Sequence, residues 1–142
     1  MFFTKNNWSA FLEETKKKRE NHATIYVAIF LCARWCSVCR DFFLSCKTTA
    51  ARYSQQYPDT FFLYLDIEED ENITGDIDVD NFPTLLVFRN ETLLHFKPII
   101  AREEAMIQNL QILRGQKSTL SLPATLITIY NAAIPFPARS AP

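Results

Sequence analysis

The apolar positions of this chain follow two alternating signatures. Residues 24–31 (TIYVAIFL) and 61–67 (FFLYLDI) are short, nearly unbroken β-branched and aromatic runs, as expected of strands covered on both faces. Around them the spacing turns helical. Trp8, Phe11 and Leu12 share one face of a segment that Asn7 or Ser9 would cap and that runs to about Glu20. Cys39, Phe42, Phe43, Cys46 and Ala50 form a stripe between Cys36 and about Tyr57, stopped by Pro58. Residues 84–88 and 92–96 read as two short strands joined through Arg89-Asn90-Glu91 as a hairpin, and residues 101–113 as an amphipathic helix with Gly115 at its C-cap. The order is helix, strand, helix, strand, short helix, hairpin, helix. It predicts an α/β domain, a mixed sheet of four to five strands with helices on both faces.

Length suits this reading, because 142 residues can bury a real core without staples. The expected domain spans residues 1–115. Residues 116–142 form an extension in which Leu120, Leu122, Leu126, Ile127, Ile129, Tyr130, Ile134 and Phe136 are too apolar for a free linker, while Pro123, Pro135 and Pro137 interrupt any long element. These side chains are expected to be buried, against their own domain or in a homodimer contact with a second copy. With 15 basic against 16 acidic residues, the net charge of −1 gives no general attraction to nucleic acid or to an anionic membrane. Two glycines leave no glycine-rich phosphate loop, and the apolar run 25–33 is too short to span a bilayer and too far in for an ordinary signal peptide.

Cys32, Cys36, Cys39 and Cys46 cluster in one stretch, which points to a redox or metal site in a reducing compartment, expected to be the cytoplasm, rather than to a disulfide framework. Trp35-Cys36-Ser37-Val38-Cys39 stands where a buried strand ends and a helix begins. There the free N–H groups and the positive end of the helix dipole stabilise a thiolate, which should make Cys36 a nucleophile near neutral pH, with Arg34 and Arg40 as auxiliaries. Cys39, one turn on, can attack the mixed disulfide formed by Cys36 and release the product. Four cysteines also suit zinc, but Cys46 lies well into the helix on its core-facing stripe. Cys46 is read as a small core residue. Asp70-x-Asn72-x-Thr74-Gly75 opens like a calcium loop, yet its twelfth position is Asn81 where a bidentate Glu is needed. The acids from Asp66 to Asp80 are read as a solvated edge, with a preference for basic protein substrates as the sharper alternative. Lys16 to Arg19 reads as a solvated helix face rather than a targeting signal, and neither His22 nor His95 is given a catalytic role.

Residues 5–113 resemble the thioredoxin family. The resemblance rests on Trp-Cys-x-x-Cys after the buried strand and on Phe82-Pro83-Thr84-Leu85-Leu86-Val87-Phe88, similar to the family's cis-proline strand. It implies a thioredoxin-like fold, a cis Phe82–Pro83 bond beside the dithiol, and a substrate surface made by Trp35, Phe82 and Pro83. It also implies thiol–disulfide oxidoreductase activity on protein disulfides, no bound cofactor, and regeneration by an external reductase or electron donor. Three departures stand out. Phe30 falls where the family has a buried aspartate, Tyr64 where a lysine usually neighbours it, and Ser37-Val38 replaces Gly-Pro. Cys32 falls where the family often carries a tryptophan, and both packing and a third redox thiol remain open for it. The alternative to catalysis is a non-catalytic interaction module on the same fold.

Overall fold

The computed structural model describes residues 2–21 and 23–134, so that His22, Phe136 and the prolines at 135 and 137 lie outside the described residues. One mixed sheet contains β1 (Phe2–Phe3), β2 (Tyr26–Cys32), β3 (Thr60–Asp66), β4 (Thr84–Arg89) and β5 (Thr92–Pro98), in the spatial order β1-β3-β2-β4-β5. β3 runs parallel to both β1 and β2, whereas β4 is antiparallel to β2 and β5. The helices are α1 (Trp8–Glu20), α2 (Ser37–Gln56), α3 (Glu71–Thr74), α4 (Glu103–Arg114) and α5 (Ile127–Ala133).

Three features differ from or extend the sequence expectation. β1 is only two residues long, too short to show a period, and is fixed by pairing Phe2 with Phe62 and Phe3 with Leu63. Asn7 makes no side-chain cap for α1. Instead its Oδ1 accepts the Thr4 N–H at 2.7 Å while Thr4 Oγ1 accepts the Asn6 N–H at 3.2 Å, closing a box around a 3-10 turn. The third feature is α5, discussed below.

Strand alternation sorts the core into two layers. Val27, Ile29, Leu31, Phe61, Leu63 and Leu65 point to the face covered by α1. Ala28, Phe30 and Phe62 point the other way, onto Phe42, Cys46, Ala50 and Tyr53 of α2 and Met106, Leu110 and Leu113 of α4. Arg114 ends α4 with a bidentate pair to Asp59 at 2.9 and 2.7 Å, its guanidinium lying over the Tyr26 and Tyr57 rings.

Past α4 the chain crosses the β5 edge. Arg89 donates to the Gln116 carbonyl at 2.8 Å, the Gln116 side-chain amide donates to the Leu94 carbonyl at 2.9 Å, and the Leu120 N–H donates to the Leu93 carbonyl at 2.9 Å. The 3-10 turn Ala124–Leu126 and α5 then cover the α1 face, where Leu126, Ile129, Ala133 and Ile134 are fully buried. The apolar extension is thus buried against its own sheet, and Leu120 and Ile127 are its exposed large apolar side chains. Gly75 allows the approach: its φ is +68°, and a Cβ there would lie 2.5 Å from Thr128 Cβ on α5. Among the described residues no helix is long and apolar enough to cross a membrane.

Candidate active site

The dithiol is held by the way β2 hands over to α2. After Cys32 the chain turns through 33–35, with the Cys36 N–H donating to the Ala33 carbonyl at 2.9 Å. Cys36 is the N-cap of α2. Its backbone is extended (φ −83°, ψ 111°) and its carbonyl accepts the Arg40 N–H at 3.1 Å, the first turn of the helix. This leaves Cys36 half-buried at the helix mouth, whereas Cys39, one turn in, is 1% exposed.

Around Cys39 the thiols are linked. Its side chain hydrogen-bonds with that of Cys32 and with that of Cys36. The hydrogen bond with Cys32 is the main cause that brings Cys39 down to about 6; the Ala33 N–H and Cys36 add to it, while burial and the Asp66 charge oppose it. Cys32 is pushed up, first by serving as the donor to Cys39 and then by its own burial. Strand parity explains this contact: Cys32 follows Ala28 and Phe30 on the face that α2 covers. Tyr64 lies on the same face. Its hydroxyl donates to the Cys39 carbonyl at 3.1 Å, with the Cys32 thiol beside it. The resemblance marks Tyr64 only as the loss of a lysine. Its parity with Phe62 was the signal that it faces α2, and its hydroxyl pins the helix turn that carries the second cysteine. Phe30 has no exposure and packs against Phe42 and Phe62, so the site of the family's carboxylate is filled with aromatic surface.

Trp35 and Phe82 meet edge to face beside Cys36, with ring centroids 5.4 Å apart. Trp35 is 63% exposed, and its indole N–H donates to Glu68 Oε1 at 2.7 Å. The Phe82–Pro83 bond is cis, and Pro83 is buried at the head of β4.

Of the auxiliary residues, Arg34 pairs with Glu69 on the loop after β3 and Arg40 donates to the Arg34 carbonyl at 2.9 Å; both line the same cavity as Cys32 and Cys39. The groups acting on Cys39 are its neighbouring thiols, the Ala33 N–H, burial and Asp66. The acidic segment is correspondingly not a free docking edge at its start. Glu68 holds Trp35, Glu69 holds Arg34 and Asp70 pairs with Lys5 at 3.5 Å, while Asp66 Oδ1 accepts the Glu68 and Glu69 N–H groups. Nothing in the sequence marked Glu68 as the partner of Trp35, because the contact joins residues 33 apart through a loop.

Cys46 packs in the core between α2 and α4, its Sγ 3.9 Å from Met106 Sδ. Among the described residues no group of three or more His, Cys, Asp and Glu side chains is gathered as metal ligands. His95 lies on β5, away from the dithiol in the fold.

The family model for thioredoxin matches residues 2–111. Among solved structures, the oxidised thioredoxin of Plasmodium falciparum is similar at 18% identity and a TM-score of 0.55, covering 79% of this chain and 97% of that one. Thioredoxin O2 of Arabidopsis thaliana in its oxidised state has 21% identity and a TM-score of 0.54, covering 79% and 93%. Fasciola hepatica thioredoxin has 16% identity and a TM-score of 0.54, covering 79% and 98%. A search of curated protein sequences found no match.

Proposed function

Since the chain belongs to the thioredoxin family, we propose that it is a thiol–disulfide oxidoreductase acting on protein disulfides through Cys36 and Cys39. The observation that carries this reading is the pairing of a half-buried Cys36 at the mouth of α2 with a buried Cys39 hydrogen-bonded to it one turn on. The more accessible sulfur meets the substrate and the enclosed one resolves. Cys36 attacks a substrate disulfide, forming a mixed disulfide and releasing one substrate thiolate. Cys39 then attacks Cys36 Sγ, the substrate's second sulfur leaves as a thiolate that takes up a proton, and a Cys36–Cys39 disulfide remains. Two electrons have moved from protein to substrate, and an external dithiol donor returns them. No bound cofactor enters this cycle. Trp35, Phe82 and Pro83 supply the surface on which an extended substrate segment lies, and the reducing cytoplasm is the compartment that fits the cycle.

The test is trapping. Cys39→Ser should accumulate mixed disulfides with protein substrates and Cys36→Ser should not, read on non-reducing gels and by mass spectrometry. Equal trapping by both variants, or none by Cys39→Ser, would reject the assignment and favour a non-catalytic binding module.

A further inference from the structure

Cys39 stands next to two other cysteines: Cys36, one turn before it at the helix mouth, and Cys32 at the end of β2, which lines the same cavity and interacts with it side chain to side chain. From this arrangement we propose that Cys32 is a third redox thiol, and that the oxidised site passes its disulfide inward from Cys36–Cys39 to Cys32–Cys39. The proposal rests on the reading that Cys36 and Cys39 form the primary disulfide.

Two observations speak against simple packing for Cys32. First, its side chain is directed at another thiol, whereas Cys46, on the same α2 face, contacts only a thioether among its hydrogen-bond partners. Second, it borders open space. A cavity of about 370 Å³ lies beside it, its lining including Cys32, Cys39, Phe43, Tyr64, Arg34 and Arg40. That volume gives the Cys32 side chain room to turn toward Cys39 and gives small thiols a route to the pair.

The transfer is balanced without an outside oxidant. Cys32 Sγ, as thiolate, attacks Cys39 Sγ; the Cys32–Cys39 bond forms as the Cys36–Cys39 bond breaks, and the electron pair leaves on Cys36, which takes up the proton that Cys32 lost. The oxidation level is unchanged. Its order is set by the same contacts. In the reduced site Cys32 is held as the hydrogen-bond donor to Cys39, which keeps its proton in place. Once Cys39 is in a disulfide that acceptor charge is gone, so the largest cause that keeps the proton on Cys32 is removed and burial is what remains against its ionisation. The product keeps its disulfide between two cysteines that are 2% and 1% exposed and leaves Cys36 as a free thiol able to engage a second substrate.

Tryptic mapping of the full chain tests this directly, because cleavage after Arg34 and Arg40 puts Cys32 in one peptide and Cys36 with Cys39 in another. Wild-type protein and Cys36→Ser are equilibrated in a glutathione redox buffer in which wild type forms its Cys36–Cys39 disulfide, then acid-quenched and alkylated. The proposal expects Cys36→Ser to lose two alkylatable thiols and to yield the peptide 20–34 cross-linked to 35–40 through Cys39. It also expects that species as a fraction of oxidised wild type, absent in Cys32→Ala, with Cys36–Cys39 retained there. If Cys36→Ser keeps Cys32 and Cys39 free while wild type forms Cys36–Cys39, the third-thiol role is overturned and the primary dithiol stands. Failure of wild type to form Cys36–Cys39 overturns both.

Discussion

The two faces of the sheet solve the burial problem in opposite ways. On the α1 face the cover is assembled from distant parts of the chain, and a late segment completes it with Leu126, Ile129, Ala133 and Ile134, which have no exposure. On the α2 face the cover is a helix pair whose layer contains Cys39, Cys46, Cys32 and Tyr64, and a cavity is left open beside the thiols. One face is sealed for stability. The other holds thiols and a phenol in a partly apolar layer, which suits the proposed exchange because it needs a thiol that is shielded yet reachable. The comparison teaches that the extension beyond the family match supports the scaffold from behind, without touching the chemistry.

The sharpest way to break this comparison is to empty the sealed face. Leu126→Ala or Ile129→Ala should cost about 2–5 kcal/mol, as for other buried aliphatic truncations, while the rate of Cys36–Cys39 cycling at a temperature where the protein stays folded remains unchanged. Chemical denaturation with a parallel disulfide-reduction assay measures both. A loss of turnover in the folded variant would show that the faces are coupled.

Placing an acid on the open face sharpens it from the other side. Phe30→Asp puts an ionisable group among Phe42 and Phe62 and should lower stability by about 1–3 kcal/mol. Turnover at neutral pH should stay unchanged, because the neighbouring thiols and the Ala33 N–H already hold Cys39 ionised. Faster turnover in a folded Phe30→Asp protein would mean that Cys39 still needs a base.

Gly75→Ala should destabilise by about 1–3 kcal/mol, since it forces a side chain into a positive φ and against Thr128. The loss should appear as loosening of α5, visible as faster amide exchange over residues 124–133. Exchange changes confined to α2 would contradict the proposed division of labour.

The smallest expected effect is a pH dependence. The folded reduced protein has lost the Cys39 proton above about pH 6, whereas the unfolded chain keeps it up to the ordinary thiol range. Between these limits the unfolded state binds more protons, so stability rises with pH; this contribution is lost as pH falls through about 6. Cys32, pushed up, works in the opposite sense only above the ordinary thiol range. The slope of stability against pH in the reduced protein should therefore be positive across that window and flatter in Cys39→Ser.

What the sequence determined by itself was whatever depends on local pattern. The strand over Tyr26–Cys32, the helix that begins after Cys36 and the hairpin at Arg89-Asn90-Glu91 follow from runs and periods that span a few residues. The dithiol was legible for the same reason, since two cysteines a turn apart at a strand-to-helix junction carry their chemistry in their spacing. Tertiary structure decided the rest. The two-residue strand β1 exists only because β3 offers it an edge. α5 found its place through Gly75 and a face of the sheet built from residues far away in the chain. Arg34, Glu68 and Tyr64 acquired their partners across the sheet-end loops. Contacts of that kind are set by how strands stack and where loops return, and no periodicity in the sequence records them. The meeting of Cys32 with Cys39 joins the two kinds of information: parity put both on one face, but only the packing of α2 on β2 brought their sulfurs together.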